Sequence, residues 1–134
     1  MPPLAGSRPG ENSGESRAVA VVDDDPAVRD SLKFLLELIG YSVLLYESAE
    51  AFLGSCASGP ACLILDQNMP TMTGLELAAQ LRASGRAIRV LLVTSTPSAA
   101  IILRAAELGI ERVVAKPAAE EDLLNFIEAE RSEA

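Results

Sequence analysis

Four short apolar runs in this chain each end on a polar group that could take part in phosphoryl transfer. The runs and the groups that follow them are 18–22 with Asp23, Asp24 and Asp25, 61–65 with Asp66, 88–93 with Thr94, and 110–115 with Lys116. Carboxylates, a hydroxyl and an ammonium can together hold a divalent cation and a phosphoryl group. The chain therefore carries the groups needed for such chemistry, provided that the fold brings the four run ends together.

The pattern of apolar runs indicates how the chain would bring those groups together. The runs alternate with segments of helical periodicity, which predicts five strands and five helices in an α/β domain with a parallel sheet. Right-handed crossovers favour a doubly wound sheet in the order 2-1-3-4-5, where ligands bind beyond the carboxyl ends of the strands. Strands one and three then flank one crevice, so Asp23, Asp24 and Asp66 are expected to converge there.

Start signals for the helices accompany the apolar runs. Asp25 followed by Pro26 predicts an N-cap and the first position of the first helix. Thr73 and Glu76 have the spacing of a capping box, and Pro97 is expected to open the fourth helix. The predicted strands cover about 18–22, 42–46, 61–65, 88–94 and 111–115.

Three carboxylates in one crevice need a compensating charge. At about 4 Å each pair repels by about 4 kcal/mol at an effective dielectric of 20. A cation or a shared proton must offset this, and oxygen ligands beside a phosphoryl group favour Mg²⁺. Taken singly, each residue has a simpler interpretation as a solvated loop aspartate, a helix cap, a strand end or a surface turn. Their joint occurrence at four strand ends favours a site in which an aspartate is the nucleophile.

Composition bounds the remaining function classes. The chain has 134 residues, enough for one domain, and a net charge of −8, which would repel nucleic acid. It contains no histidine, so Ser-His-Asp and Cys-His catalysis are excluded, and any phosphohistidine must belong to another protein. Its two lysines, Lys33 and Lys116, do not follow a Gly-x-x-x-x-Gly loop, which excludes a nucleotide-binding P-loop.

Three further features concern the ends of the domain and its thiols. Residues 1–17 are rich in Gly, Pro and Ser, which predicts a flexible N-terminal tail. No apolar stretch approaches the length of a membrane span or a signal-peptide core, so we expect a cytoplasmic protein. Cys56 and Cys62 lack metal-ligand spacing and are interpreted as structural thiols, with Cys62 in a buried strand.

The segment from about 18 to 130 resembles the receiver domain of two-component response regulators. The motifs that carry the resemblance are Val-Val-Asp23-Asp24-Asp25, Leu-Ile-Leu-Asp66-Gln-Asn-Met-Pro70-x-Met-x-Gly74, Leu-Val-Thr94-Ser95 and Ala-Lys116-Pro117. The resemblance implies a flavodoxin-like (βα)5 fold, with a receiver domain over 18–131.

The resemblance also implies a role for each site residue. Asp66 matches the phosphoacceptor, and Thr94 and Lys116 match the hydroxyl and the ammonium that bind the phosphoryl group. Asp23, Asp24, Asp66 and the backbone carbonyl of Asn68 match the Mg²⁺ ligands. Lys116-Pro117 matches a peptide bond that is cis in the family. The register in which Asp24 and Asp25 form the acidic pair remains an alternative.

The implied partners are a sensor histidine kinase or a phosphotransfer protein, and a downstream output domain or protein. The phosphorylated state is expected to change the surface of helix four, strand five and helix five, and a phosphorylation-dependent homodimer is left open. Ile101, Ile102 and Leu103 cannot all face inward from one helix, so part of that surface is expected to be exposed and apolar. A single surplus apolar residue without a purpose is an equally good explanation.

Two positions depart from the family pattern. Val113 replaces the usual aromatic residue three positions before the lysine, and Ser95 replaces the usual Ala or Gly after the threonine.

Two rival functions remain. A small Mg²⁺-dependent aspartyl-phosphate phosphatase would need an acid two residues after the nucleophile, where this chain has Asn68. A pseudo-receiver that acts only by binding would normally lack the phosphoacceptor, which is present here as Asp66.

Overall fold

A computed structural model describes residues 18–55 and 59–133, with side chains described as far as residue 129. Five strands and five helices alternate along this part of the chain, as predicted. The strands are β1 Val19–Val22, β2 Val43–Tyr46, β3 Cys62–Asp66, β4 Arg89–Thr94 and β5 Arg112–Ala115. The helices are α1 Pro26–Leu38, α2 Ala49–Leu53, α3 Gly74–Ala83, α4 Ala99–Glu107 and α5 Glu120–Glu133.

The strands form one parallel sheet in the order β2-β1-β3-β4-β5, which confirms the predicted order 2-1-3-4-5. Val22 pairs with Leu65, so the residues that follow them begin at the same edge of the sheet. Thr94 pairs with Ala115, the last residue of β5. The register therefore places the carboxyl ends of β1, β3, β4 and β5 side by side.

Both faces of the sheet are buried, which explains why its central strands are continuous apolar runs. Alternate residues of β1 belong to different cores: Ala20 and Val22 pack towards α2, α3 and α4, and Val19 and Val21 pack towards α1 and α5. Every residue of β1 and β3 is buried. The polar residues at the ends of these strands are thus held by fully buried strands.

The capping signals of α1 and α3 are confirmed. The Asp25 carboxylate accepts a hydrogen bond from the Ala27 N–H at 2.9 Å, and Pro26 is the first residue of α1. Thr73 and Glu76 form the predicted reciprocal capping box, with distances of 3.2 and 2.9 Å. Side-chain oxygens thereby satisfy backbone N–H groups that have no partner inside the helix.

The predicted start of α4 is wrong by two residues. Pro97 was expected to open the helix, but α4 begins at Ala99 with Ser98 as its N-cap. The Ser98 hydroxyl accepts a hydrogen bond from the Ile101 N–H at 3.2 Å. Proline fits the first turn of a helix but offers no side-chain acceptor, so the serine determines where this helix starts.

Other predictions concern residues at the margins of the fold. The predicted tail at 1–17 and Cys56 lie outside the described residues. Cys62 is buried in β3, as expected. Among the helices that the structure describes, none is long and apolar enough to cross a lipid bilayer.

Candidate functional site

Three carboxylates converge at the carboxyl edge of the sheet. Asp23 follows β1 directly, Asp66 is the last residue of β3, and one oxygen from each lies with an Asp24 oxygen in a group spanning no more than 4.8 Å. Asp23 and Asp66 are buried, whereas Asp24 is exposed. The structure thus brings together the three aspartates that the strand pattern placed in one crevice.

Lys116 joins this cluster from the neighbouring strand ends. Its Nζ lies 3.2 Å from Asp23 Oδ2 and 3.4 Å from Asp66 Oδ2. The Lys116 backbone N–H donates to the Thr94 carbonyl at 2.9 Å, which extends the pairing of β5 with β4 by one residue. The Lys116-Pro117 peptide bond is cis, as the resemblance implied.

Asp66 is an unusual carboxylate for a protein interior. Its Oδ1 accepts a hydrogen bond from the Asn68 N–H at 3.1 Å, but its Oδ2 is fully buried and accepts none within the described part of the chain. Burial and the neighbouring Asp23 charge raise the pKa of Asp66 to about 6, despite the opposing effects of the Asn68 N–H and Lys116. An under-satisfied oxygen on a basic carboxylate is well suited to bind an incoming electrophile or cation.

The neighbouring carboxylates also affect the pKa of Lys116, and they stabilise its charged form. Burial alone would lower its pKa, but hydrogen bonding and the negative charges of Asp23 and Asp66 outweigh burial, and the pKa is raised. Lys116 is therefore charged at neutral pH and partly offsets the repulsion between the carboxylates.

A network that was not foreseen from the sequence fixes Asp23. Its Oδ1 accepts a hydrogen bond from the Asp25 N–H at 2.9 Å, and its carbonyl accepts one from Arg29 Nη1 at 2.7 Å. The Asp25 side chain meanwhile caps α1 and is outside the carboxylate group. This arrangement favours Asp23 with Asp24 as the acidic pair over the alternative register of Asp24 with Asp25.

Thr94 is buried at the end of β4, and its hydroxyl donates to Asn68 Oδ1 at 3.0 Å. The Ser95 N–H and the Ser95 hydroxyl also donate to Asn68 Oδ1, at 3.0 and 3.2 Å. From the sequence, only the backbone carbonyl of Asn68 was expected to take part in the site. No residue pattern signalled this side-chain role, because it depends on the approach of two loops.

The donor set fits a hard divalent cation. Carboxylate oxygens are the ligands that Mg²⁺ prefers, and they come from two buried side chains and one exposed one. Three carboxylates and one ammonium leave a net charge of −2 when all are ionised. Asp66 Oδ2, buried without a hydrogen bond, has a lone pair available for such an ion.

An apolar cavity of about 280 Å³ borders the cluster. Val28 and Leu32 of α1 contribute to its lining, together with Pro117 and Ala118 beyond Lys116. Apolar walls beside the charged groups lower the local dielectric and strengthen the interactions of Lys116 with the carboxylates.

A family model and the curated proteins that are similar to the chain indicate the same family. A family model described as the response regulator receiver domain matches residues 19–128. The transcriptional regulatory protein FixJ of Azorhizobium caulinodans is 39% identical over 104 residues, which are 77% of this chain and 49% of FixJ. The response regulator protein TodT of Pseudomonas putida is 35% identical over 118 residues, which are 87% of this chain and 52% of TodT. The chain thus spans about half the length of these curated relatives.

Solved structures agree with the sequence relatives. A crystal structure titled FixJ-N superposes with a TM-score of 0.76 at 29% identity, covering 87% of this chain and 94% of that one. The response regulator StyR superposes with a TM-score of 0.75 at 35% identity, covering 87% of this chain and 62% of StyR.

Proposed function

The chain belongs to the family of response regulator receiver domains, and from that premise we propose that Asp66 accepts a phosphoryl group from a phosphohistidine on a partner protein. The relatives are named as regulators and not as enzymes, which argues against the rival phosphatase. The proposed receiver domain covers residues 18–131.

The observation that carries this proposal is the state of Asp66 Oδ2. It is buried, it accepts no hydrogen bond from the residues that the structure describes, and the Lys116 ammonium lies 3.4 Å away. The long Lys116 ion pair is therefore its only compensation among the described residues, and a buried carboxylate oxygen so weakly satisfied is a candidate for a functional role. Transfer of a phosphoryl group to this oxygen would provide such a role.

The proposed reaction needs few groups. A carboxylate oxygen of Asp66 attacks phosphorus, the P–N bond of the phosphohistidine breaks, and its electron pair stays on the imidazole nitrogen. Lys116 then pairs with the phosphoryl oxygens, and the Thr94 hydroxyl donates a hydrogen bond to one of them. Because these 134 residues contain no histidine, the phosphohistidine would lie outside them, on a sensor histidine kinase or a phosphotransfer protein.

Asp23, Asp24 and Asp66 would hold Mg²⁺, with the Asn68 backbone carbonyl as a further ligand. When bound, the ion would neutralise charge on the carboxylates and on the phosphoryl oxygens. Asp24 is exposed, so its side chain can bind an ion without disturbing the core.

The consequence of phosphorylation is proposed to be a change in the surface of α4, β5 and α5, read by an output domain or protein. Ile102 and Leu103 of α4 are 53% and 64% exposed, which supports an apolar contact surface there. That surface could equally serve a phosphorylation-dependent homodimer. We expect the protein to act in the cytoplasm without binding nucleic acid through this domain, in keeping with its net charge of −8.

Intact-mass measurement after incubation with acetyl phosphate and Mg²⁺ tests the proposal, because acetyl phosphate can replace the protein donor. The native protein should gain the mass of one phosphoryl group, and Asp66→Asn should gain none. Asp25→Asn is the matched control, because asparagine also caps helices and Asp25 is outside the cluster. It should be phosphorylated like the native protein. Phosphorylation that persists in Asp66→Asn, or is lost only in Asp25→Asn, would contradict the assignment.

A further inference from the structure

Three hydrogen-bond donors converge on one atom at the edge of the site. Asn68 Oδ1 lies 3.0 Å from Thr94 Oγ1, 3.0 Å from the Ser95 backbone nitrogen and 3.2 Å from Ser95 Oγ. The Ser95 backbone nitrogen can only donate, so the atom that it contacts must be the amide oxygen of Asn68 and not its nitrogen. The orientation of this side chain is therefore determined by its contacts.

The same contacts occupy the proton of the Thr94 hydroxyl. A hydroxyl has a single proton to donate, and Thr94 directs it at Asn68 Oδ1 while its oxygen accepts from the Thr96 N–H at 3.2 Å. An amide oxygen has two lone pairs, and the Ser95 N–H occupies one of them. The hydroxyls of Thr94 and Ser95 therefore share the other lone pair. Ser95 thereby holds the Asn68 side chain in the place where it competes for the Thr94 proton.

We infer that the side chains of Asn68 and Ser95 form a latch, here called the Asn68 latch, that keeps the Thr94 hydroxyl in its resting position. The inference rests on the proposed function, in which the Thr94 proton must turn from Asn68 to a phosphoryl oxygen on Asp66. The latch therefore opposes the phosphorylated state. Asn68 and Ser95 are positioning residues that act through Thr94, and their side chains are both exposed at the mouth of the site.

The Asn68 latch and a role in supporting the phosphorylated state predict opposite effects of removing the Asn68 side chain. If Asn68 supported the phosphorylated state, removing its side chain would weaken the binding of a phosphoryl mimic. If it holds the resting state, removal eliminates a competing hydrogen bond and binding becomes tighter. A net hydrogen bond corresponds to a change in affinity of about 2- to 10-fold.

The test is a titration with beryllofluoride, a mimic of the phosphoryl group, at saturating Mg²⁺ and monitored by backbone amide shifts. The proteins are the native chain, Asn68→Ala, Ser95→Ala, the double variant, and Thr96→Ala as a control at a neighbouring exposed hydroxyl. We expect Asn68→Ala to bind about 2- to 10-fold more tightly. Ser95→Ala should show a smaller gain, because its N–H still donates to Asn68, and Thr96→Ala should match the native protein.

The double variant shows whether Asn68 and Ser95 act together on beryllofluoride binding or affect it independently. Once Asn68 Oδ1 is gone, the Ser95 hydroxyl has nothing to hold, so the double variant should bind no more tightly than Asn68→Ala. Unchanged or weaker binding in Asn68→Ala, or gains that multiply in the double variant, would overturn the latch while leaving the proposed function intact. A native protein that does not bind beryllofluoride would contradict the proposed function itself, and with it the latch.

Discussion

Ionised Asp66 is destabilised by its surroundings in the folded protein, and the same surroundings suit it to bind a cation or a phosphoryl group. Its side chain is held at the end of a fully buried strand, where desolvation and the Asp23 charge make its ionised form less stable than in water. Lys116 and the Asn68 N–H offset only part of that cost. A cation or a phosphoryl group would supply the remaining compensation.

The metal-free protein should lose stability as Asp66 ionises. The pKa of Asp66 is about 6 in the folded state against 3.8 as the ordinary value, so the folded state holds this proton more tightly than the unfolded chain. The free energy of unfolding contributed by Asp66 therefore falls as the pH rises from about 4 to above 6, by at most about 3 kcal/mol. The measurement is urea unfolding in EDTA at several pH values, for the native protein and for Asp66→Asn. The free energy of unfolding of the native protein should fall relative to that of Asp66→Asn as the pH rises over that range. Parallel pH profiles would contradict the raised pKa.

Mg²⁺ should stabilise the protein through Asp24. At a concentration ten times its dissociation constant, a ligand that binds only the folded state adds about 1.4 kcal/mol, which corresponds to a few degrees in Tm. Asp24→Asn should remove most of this gain and should unfold at an equal or higher temperature without Mg²⁺, because repulsion is relieved. Asp30→Asn changes the same charge outside the carboxylate group and should keep the gain. Equal Mg²⁺ stabilisation of native protein and Asp24→Asn would refute the site.

Among the elements, α3 packs against the end of β3 so closely that its first residue, Gly74, has no room for a Cβ. A Cβ at Gly74 would lie 2.7 Å from the Asp66 carbonyl oxygen and 2.9 Å from Leu92 Cδ1. The close approach to backbone cannot be relieved by rotating a side chain. The backbone at the end of β3 would have to move instead.

Gly74→Ala should therefore destabilise the protein by about 1–3 kcal/mol, the usual range for overpacking, and slow the phosphorylation of Asp66. Gly54→Ala is the matched control, because its φ is −80° and its nearest contact would be 3.4 Å away. That variant should change the free energy of unfolding by no more than about 1 kcal/mol. Urea unfolding of the two variants checks the prediction, and a Gly74→Ala as stable as Gly54→Ala would contradict it.

β5 carries a second prediction, at Val113. This side chain is half-buried against the core beside α4, where the family pattern has an aromatic ring. Burying valine contributes at most about 1.5–3 kcal/mol, less than a ring would, and its branched Cβ restricts rotation. We expect beryllofluoride to shift the amides of residues 97–116 only partly in the native protein, and more fully in Val113→Tyr. A full native shift that Val113→Tyr does not enlarge would show that the valine is no handicap.

The sequence contained most of the information about these elements, and the exceptions have physical causes. Apolar runs bounded by Asp25 and Thr73 predicted α1 and α3 because one side-chain oxygen determines each start. The start of α4 was misplaced because Pro97 and Ser98 are both start signals, and only hydrogen-bond geometry decides between them. Local signals predict the boundary of a helix when they agree, and they leave that boundary uncertain when two neighbouring residues both favour it.

At the scale of the whole molecule, the parallel sheet is what makes the site predictable. Its order and register bring Asp23, Asp66 and Lys116 together from three separate strand ends, as the rule for such sheets led us to expect. The Asn68 latch and the Arg29 contact could not be predicted, because side-chain partners across loops leave no periodic trace. The raised pKa of Asp66 likewise depends on burial, which only the folded structure gives.

In the proposed reaction, the Asp66 carboxylate becomes the acyl phosphate. The most direct test is to phosphorylate the native protein with acetyl phosphate and Mg²⁺, reduce it with borohydride and sequence the peptides by mass spectrometry. Borohydride reduces an aspartyl phosphate to homoserine, so the modified position is marked permanently. We expect homoserine at position 66 alone, dependent on Mg²⁺ and absent from protein that was not phosphorylated. Homoserine at position 23, 24 or 25, or a phosphorylated protein with position 66 unmodified, would contradict it.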